Sequence, residues 1–412
     1  MGRETIRPTA DWSAALRVQK TAECLRQDVP HVSSSHTNDD VLAMFAAESR
    51  LIALPVVENG VPVGLINRNQ FMDAMARPFH REIYGRKSCT HFMDPEPLIV
   101  GRSVSIPELG FLLADAAKPL ADGFIVTADG HYHGMGSSRD LIRAIANLQA
   151  EKNRLVTESI SYASVIQKSF LHPSRAALAG TLQDFFFLWE PRDIVGGDYF
   201  FFARFDDGFF FAVVDCTGHG VPGAFLTLIV ASFLERALEY EKRRDPAAVL
   251  VDVNRMIKHA LGQSNACVPG NETQSDDGMD AVFAWVEAQG PMTYASARMT
   301  VFKLGRHDPQ PVDLPTDRVG AGYADTPPDY RWTNRTVTLR SGDAVYVSTD
   351  GIIDQIGGER KIAFGKKRLK ETLLTHRERP LQEQGTAVLA ALQRYQGEES
   401  RRDDISVFGF RV

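Results

Sequence analysis

Apolar runs that end at glycine turns alternate along the chain with segments whose apolar residues recur every three or four positions. The first pattern is typical of buried strands and the second of helices, so the sequence predicts a mixed α/β protein. The clearest run covers residues 210–214, which are all apolar, aromatic or β-branched. Asp215, a glycine-rich stretch and a helical pattern over residues 224–238 follow it. We therefore predict a buried strand, a tight turn and a helix in this order.

Asp215 stands where the predicted strand ends, and its charge needs an explanation. A carboxylate at the end of a core strand is costly to bury unless a cation meets it, and neither Cys216 nor Thr217 carries a positive charge. The position is consistent with a metal ion or with a cation from elsewhere in the chain. A glycine-rich turn with a capping aspartate explains the same residues, so this stretch alone leaves both interpretations open.

Aspartates stand at the ends of three further apolar runs: Asp198, Asp350 and the pair Asp403 and Asp404. Each of them is also an ordinary turn residue. Four strand ends that all carry aspartate nevertheless favour a shared site. Mg²⁺ and Mn²⁺ prefer oxygen ligands, and a pair of such ions needs several carboxylates from different strands. The pattern therefore predicts a site for divalent cations.

Four motifs in this order, GGDYF, DCTGHGVPGAF, STDGIIDQ and RRDDISV, resemble those of the PPM metal-dependent serine/threonine phosphatases. The resemblance is to the bacterial SpoIIE/RsbU-like branch, which regulates partner-switching pathways, and it covers about residues 165–412. GMDAVF, YASARMTVFKL and DGIIDQIGGE add a similarity to the SiaA-type phosphatases. The resemblance implies an α-β-β-α phosphatase fold, in which helices flank a β-sandwich and two Mn²⁺ or Mg²⁺ ions lie in a cleft at one end.

The same resemblance implies a ligand set and a set of catalytic residues. Asp198 and Asp215, with the carbonyl of Cys216, would hold one metal ion. Asp215, Asp350 and Asp403 would hold the other. Two ions that share a water lower its pKa and clamp the phosphate oxygens, so attack on phosphorus needs no nucleophilic side chain. A phosphoenzyme intermediate is not expected.

Four other polar residues near these motifs have two interpretations each. Asp404 is the weaker choice of ligand in its motif. His219 could protonate the leaving serine or threonine oxygen, or it could be a structural residue of the glycine turn. Arg192 could bind phosphate, but this branch of the family commonly lacks an arginine for that role, so a surface cation is preferred. Asp280 could act near the metals or simply begin a strand.

An internal repeat occupies the N-terminal third of the chain. Residues 55–64 and residues 124–134 each read as a strand, a glycine turn and a second strand, with helices on both sides. The turn glycines recur 70 residues apart, as Gly60 with Gly130 and Gly64 with Gly134. This arrangement resembles a tandem pair of CBS domains, a regulatory module that often binds adenine nucleotides between its two repeats.

The ribose-binding pattern of CBS domains is met in one repeat only. Gly134, Ser137 and Asp140 match it in the second repeat, whereas Asn67 and Gln70 replace the hydroxyl and the acid in the first. The resemblance thus implies a possible adenine-nucleotide site at Ser137 and Asp140. A serine with an acid three residues later is also a common helix cap, and that interpretation is slightly preferred.

One long helix is predicted from Leu141 to Leu171, because apolar residues recur there at spacings of three, four and seven. Pro173 is expected to end it. Lys152 and Ser159 interrupt the apolar seam, so a sustained coiled coil is only partly supported. A homodimer that forms through this helix is a reasonable expectation.

Four segments follow from these patterns. They are an N-terminal extension (1–28) in which Trp12–Leu25 could form a short helix, a tandem CBS-like module (29–146), a linker helix (147–172) and a phosphatase domain (173–412). A chain of 412 residues exceeds one ordinary core, which agrees with several domains.

Composition bears on the binding partners and the cellular location of the protein. A net charge of −6 argues against an extended nucleic-acid surface. The four cysteines show neither paired nor metal-ligand spacing, which is typical of reduced thiols: Cys24, Cys89, Cys216 and Cys267. The longest apolar window, near residues 224–234, is shorter than a membrane span. We therefore expect a cytoplasmic protein that contacts neither nucleic acid nor membrane.

The leading hypothesis is a metal-dependent serine/threonine phosphatase. Its implied substrate is a small regulatory phosphoprotein, a STAS-like or SiaC-like antagonist in a bacterial partner-switching pathway, and the CBS module would regulate it. Two alternatives are a catalytically silent scaffold and an adenine-nucleotide sensor that acts through the CBS pair. The full set of aspartates argues against the scaffold.

Overall fold

The computed structural model describes residues 20–115, 123–238, 242–263, 276–288 and 290–412. The chain forms two compact units, Met1–Leu155 and Val156–Val412. The predicted helix over Trp12–Leu25 lies mostly outside the described residues, and its described end, Ala22–Leu25, is a short 3₁₀ helix.

The N-terminal unit contains two copies of one motif. The first copy consists of α1 (Asn38–Ala47), β1 (Ala53–Glu58), β2 (Val61–Asn67) and α2 (Arg68–Met75). A short helix α3 (His80–Tyr84) follows it. The second copy consists of β3 (Ile99–Gly101), α4 (Ile106–Asp115), β4 (Phe124–Ala128), β5 (His131–Gly136) and the start of α5 (Ser138–Ala179).

The predicted internal repeat is confirmed down to its turns. Asn59 and Gly60 join β1 to β2 with φ values of 51° and 83°, and Asp129 and Gly130 join β4 to β5 with 52° and 82°. Two consecutive positive φ angles are the signature of the hairpin turn whose twist matches the flanking strands. Each hairpin also has its irregularity at the same place, after Val56 and after Val126.

Helix α5 is longer than predicted. It runs from Ser138 to Ala179 and contains Pro173, so the expectation that this proline ends the helix is wrong. A proline inside a helix loses one backbone hydrogen bond and strains the preceding turn. Here Leu171 and Leu178 are each 1% exposed, and the hydroxyl of Ser174 accepts a hydrogen bond from the Phe202 amide at 3.1 Å. Packing on both sides of the proline therefore keeps the helix continuous.

The C-terminal unit is a sandwich of two five-stranded antiparallel sheets. The strands of the sandwich are β6 (Phe185–Glu190), β7 (Asp198–Phe205), β8 (Gly208–Cys216), β9 (Met279–Glu287), β10 (Met292–Ala297), β11 (Thr300–Leu304), β12 (Val312–Asp313), β13 (Arg335–Val337), β14 (Ala344–Ser348) and β17 (Ile405–Arg411). The first sheet has the strand order β13-β10-β9-β8-β7, and the second sheet has the strand order β12-β11-β14-β17-β6. A small hairpin pairs β15 (Ile356–Gly357) with β16 (Ile362–Ala363).

Helices cover both faces of this sandwich, which confirms the predicted α-β-β-α layers. The helices α6 (Gly220–Leu238) and α7 (Pro246–Ala260) contact the first sheet. On the second sheet lies α10 (Leu381–Gln396), paired with α9 (Gly365–Thr375), and a short α8 (Asp350–Asp354) follows β14.

The core between the sheets is rich in phenylalanine. The rings of Phe200 and Phe211, from the first sheet, lie 4.9 Å and 5.1 Å from that of Phe408 in the second. Residues 210–214 are all fully buried in β8, as predicted. Offset and edge-on ring pairs of this kind stabilise a core beyond the area that they bury. They also fix the strand ends from which the candidate site is built.

Among the described helices, α6 reaches the length and apolar composition of a membrane span. This corrects the expectation that no apolar window is long enough. Half of the window is buried inside the protein, where Val230 and Leu234 are fully covered. A core helix of a globular domain meets the same criteria, so the feature is weak evidence for a membrane segment.

Candidate metal centre and active site

Three of the aspartates lie side by side across the first sheet. The register pairs Asp198 of β7 with Asp215 of β8, and Asp215 with Asp280 of β9. Residues directly opposite in antiparallel strands have Cα atoms about 4.5–5.5 Å apart and project to the same face. The strand ends therefore bring three carboxylates into one row.

The second sheet brings two more carboxylates to this row. Asp350 is the first residue of α8, and Asp403 lies two residues before β17. The Thr349 hydroxyl donates a hydrogen bond to Oδ2 of Asp198 at 3.0 Å, which ties the two sheets together at the site. The five aspartates thus come from separate parts of the chain: three strands, the start of α8 and the segment before β17.

Burial, followed by repulsion between neighbouring carboxylates, raises the pKa values of the site aspartates above the ordinary range. Burial is the main cause for Asp198, Asp215 and Asp350, and in each case neighbouring carboxylates raise the pKa further. For Asp215 these neighbours are, in order of effect, Asp198, Asp350, Asp403 and Asp280. Burial also raises the pKa of Asp280 to about 6, although Arg298 opposes the shift. Such mutual repulsion is the pattern that a divalent cation relieves.

One oxygen at the centre of the cluster lacks a hydrogen bond. Asp198 is 1% exposed, and its buried Oδ1 makes no hydrogen bond of good geometry, although the Ser406 side chain lies close enough to lower the pKa of this carboxyl. A buried, unpaired carboxylate oxygen is costly unless a cation contacts it. Oxygen donors of this kind suit Mg²⁺ or Mn²⁺. In the described residues no three acidic, histidine or cysteine side chains already converge as a complete ligand set. The carboxylates fit the implied ions by the chemistry of their oxygens and by their burial.

Glycines allow the backbone to close around the cluster. A Cβ on Gly197 would lie 2.4 Å from the carbonyl oxygen of Gly218 and 2.9 Å from that of Cys216. A Cβ on Gly223 would lie 2.2 Å from the same Gly218 oxygen. Both contacts are with backbone, which cannot give way as a flexible side chain does. The Cys216 carbonyl, one of the implied ligands, therefore lies directly beside the start of β7.

Asp404 has a different environment from Asp403. Its Oδ1 accepts the Arg192 amide at 2.6 Å, and its Oδ2 accepts the Gly197 amide. Asp404 thus fixes the loop that leads into Asp198. This geometry agrees with the preference for Asp403 as the ligand.

Two other candidate residues are exposed at the border of the site. His219 Nδ1 lies 2.8 Å from Oδ2 of Asp193, and both side chains are more than 40% exposed. The Arg192 guanidinium donates to the backbone carbonyl of Arg402 at 3.1 Å. The carboxylate that orients His219 was not identified from the sequence.

In the N-terminal unit, Ser137 and Asp140 form a helix cap. The Ser137 hydroxyl donates to Asp140 Oδ2 at 2.7 Å, and the Asp140 amide donates back to the hydroxyl at 3.1 Å. Gln27 also donates to Asp140 Oδ2, at 2.8 Å. The capping interpretation thus describes their contacts. A cavity of about 280 Å³ lies beside Ser137, lined also by Gln27, Arg50 and Met135.

Sequence reasoning missed Gln167 of α5. Its Nε2 donates to the Gly196 carbonyl at 2.6 Å, and its Oε1 accepts the Gly196 amide at 3.2 Å. The side chain is 3% exposed and also reaches the Thr227 hydroxyl at 3.2 Å. A polar residue that falls on the buried stripe of a helix was the available signal. Gln167 connects the long helix to the backbone two residues before Asp198.

Comparison with known proteins identifies the family of the C-terminal half of the chain. The profile of the family described as stage II sporulation protein E (SpoIIE) matches residues 206–412, half of the chain. The chain belongs to the SpoIIE family of PP2C-type serine/threonine phosphatases. A CBS-domain profile matches residues 22–77 of this phosphatase, the first of its two repeats. Among proteins with curated descriptions, none matches the chain.

Solved structures resemble the C-terminal unit of this SpoIIE-family phosphatase. The SiaA-PP2C domain of Pseudomonas aeruginosa is 34% identical, covers 64% of the chain and 99% of its own length, and has a TM-score of 0.57. The RsbU and RsbW domains of a Mycobacterium tuberculosis protein match at 19% identity, covering 56% and 60% of the two chains, with a TM-score of 0.44. The SpoIIE phosphatase domain with a regulatory fragment from Bacillus subtilis matches at 14%, covering 56% and 63%, with a TM-score of 0.43.

Proposed function

We propose that this phosphatase removes phosphate from a serine or threonine of a small STAS-like or SiaC-like regulatory protein, with two Mn²⁺ or Mg²⁺ ions. Asp198, Asp215 and the Cys216 carbonyl would hold one ion, and Asp215, Asp350 and Asp403 would hold the other. The carrying observation is the buried pair Asp198 and Asp215, with an unpaired oxygen and raised pKa values. The 34% identity to a SiaA phosphatase domain supports the substrate class.

The two ions, when bound, supply water activation and charge neutralisation for phosphoryl transfer. The chain itself supplies the positioning. Thr349 orients Asp198 from the opposite sheet, and Asp404 fixes the loop before it. Asp193 engages Nδ1 of His219, which leaves Nε2 as the atom that can hold a proton for the leaving oxygen.

A direct test uses a purified STAS-domain protein phosphorylated on serine, and a SiaC-like protein phosphorylated on threonine. We expect Mn²⁺-dependent phosphate release from at least one of them. In ¹⁸O-labelled water the label should enter the phosphate in that step, and acid quenching should trap no phosphoenzyme. A stoichiometric phosphoenzyme, or no release from either protein with Mn²⁺ present, would contradict the proposal.

We further propose that the CBS module regulates turnover, with an adenine nucleotide as its candidate ligand near Ser137 and Asp140. The cavity of about 280 Å³ beside Ser137 supports a ligand site there. A sensor with no catalytic role is the alternative. Calorimetry with adenine nucleotides on the full chain tests the binding that both interpretations require, and the absence of a binding heat would contradict both. The proposed segment boundaries are 1–28, 29–146, 147–172 and 173–412.

A homodimer and a cytoplasmic location complete the proposal. Several apolar side chains of α5 are between 39% and 60% exposed, which supports a second copy as their partner: Val156, Tyr162, Val165, Ile166 and Phe170.

Cys24, Cys89 and Cys216 are free thiols, which supports a reducing compartment. Cys267 lies outside the described residues.

Gln167 offers a test of coupling between α5 and the site. Replacing Gln167 with alanine removes two buried hydrogen bonds to Gly196, so Asp198 loses a positional restraint. We expect Mn²⁺ affinity and turnover to fall by about 10- to 100-fold, the usual effect of losing a residue that orients a ligand. Exposed Lys168→Ala, one position along, is the matched control. Equal Mn²⁺ affinity in the two variants would refute this role.

A further inference from the structure

A cation stands beside the aspartate row in an unusual backbone conformation. Arg298 follows β10 with φ of 59°, in the left-handed region that side chains other than glycine rarely adopt. The conformation costs free energy, which surrounding contacts must offset. The Arg298 amide donates to the Asp317 carbonyl at 2.8 Å and Nε donates to the Arg318 carbonyl at 3.3 Å. The chain therefore holds this arginine firmly in place.

The guanidinium of Arg298 lies beside Asp280, a member of the aspartate row. Its Nη1 lies 3.9 Å from Oδ1 of Asp280, the residue that pairs with Asp215 in the sheet. The guanidinium also lies over the Tyr323 ring, 5.0 Å from the ring centre. The Arg298 side chain is nevertheless 40% exposed, which places it at the border of the site. The guanidinium is planar, and its remaining N–H donors match the spacing of the oxygens of a phosphate group.

Tyr323, which supports the guanidinium, is itself rigidly placed. A Cβ on Gly278 or on Gly320 would lie 2.7 Å and 2.4 Å from atoms of its ring, so the ring packs directly on two glycine backbones. Buried Lys258 donates to the Tyr323 carbonyl at 2.6 Å. Aromatic support of this kind pre-organises an arginine and lowers the ordering cost of binding.

We propose that Arg298 is the phosphate-binding arginine of this enzyme. It would contact the substrate phosphate at the edge of the aspartate row, with Asp280 and Tyr323 as positioning residues. The inference rests on the proposed phosphatase function. Arg192, the other arginine considered for this role, directs its guanidinium to the Arg402 carbonyl. Removal of a charged hydrogen-bonding partner predicts a loss of phosphate affinity rather than a loss of fold.

The test measures binding of inorganic phosphate to the Mn²⁺-loaded full chain by calorimetry. Arg298→Gly should raise the phosphate Kd by about 10- to 100-fold. Arg298→Lys keeps the positive charge but loses the planar set of N–H donors, so its loss of phosphate affinity should be intermediate. Glycine accepts the left-handed backbone, so relief of strain offsets part of the lost side-chain contacts, and Arg298→Gly should remain folded at the assay temperature. Exposed Arg236→Ala on α6 is the control and should bind phosphate as wild type does.

A double variant separates phosphate binding from mere neutralisation of Asp280. If Arg298 only offsets the Asp280 charge, Arg298→Gly with Asp280→Asn should regain wild-type phosphate affinity, which would overturn the proposal. Direct binding predicts that the double variant stays weak. Equal phosphate Kd in wild type and Arg298→Gly would also overturn it. Turnover of p-nitrophenyl phosphate by wild type, measured beside these, shows separately whether the phosphatase function itself holds.

Discussion

Replacing Asp215 with asparagine should reduce Mn²⁺-dependent phosphate release by about 1,000-fold or more. Asp215 is the only residue assigned to both ions, and metal ions contribute several kcal/mol to catalysis of this kind, at 1.36 kcal/mol for each factor of ten. The measurement is turnover of a phosphoprotein at saturating Mn²⁺. Exposed Asp206→Asn, in the turn at the other end of β7 and β8, is the control and should keep wild-type turnover.

The same substitution should stabilise the protein in EDTA. Burial and four neighbouring carboxylates hold the pKa of Asp215 above its unfolded value, so its ionised form disfavours the fold at neutral pH. Asparagine removes that penalty, and each kcal/mol regained raises the melting temperature by about 2–4 °C in a domain of this size. The gain should shrink as pH falls through the folded pKa, because the wild-type carboxyl then becomes protonated. A lower melting temperature at neutral pH would contradict this electrostatic account.

Replacing Gly351 with alanine should damage both stability and turnover. A Cβ at Gly351 would lie 1.9 Å from the Asp404 carbonyl oxygen and 3.3 Å from Cβ of Asp403. The backbone on both sides carries site residues, Asp350 before Gly351 and Asp403 before Asp404. Overpacking of this kind costs about 1–3 kcal/mol. Displacement of the ligands by about 1 Å should lower turnover by roughly 100-fold.

The matched control for that prediction is Gly180→Ala, after the end of α5. A Cβ there would meet its nearest atom at 3.5 Å, an ordinary contact. We expect its melting temperature and turnover to equal those of wild type, whereas Gly351→Ala should lose both. Wild-type turnover in Gly351→Ala would contradict the prediction, because it would show that the start of α8 can move away from the Asp403 loop without loss of activity.

The sequence predicted the aspartates and the repeat because each left a local signal. A carboxylate that interrupts an apolar run is visible without knowledge of the partner strand, and so is a glycine pair that recurs at a fixed spacing. The register that aligns Asp198, Asp215 and Asp280 was not predictable, since it depends on pairing between distant strands.

Residues that act through tertiary contacts were missed or misjudged. Pro173 was expected to end a helix on local grounds, but burial of Leu171 and Leu178 against the core outweighs its helix-breaking effect. Gln167 contacts a backbone 29 residues away, and the strain at Arg298 exists only in the folded chain. These features required the structure because their partners are remote in sequence.

The most direct test of the metal centre is a calorimetric titration of Mn²⁺ into the EDTA-stripped and dialysed full chain. Wild type should bind two ions per chain. In Asp215→Asn, affinity for both should fall by about 100-fold, since Asp215 is assigned to each ion. Wild-type stoichiometry and affinity in Asp215→Asn would contradict the assignment of this aspartate row as the metal site.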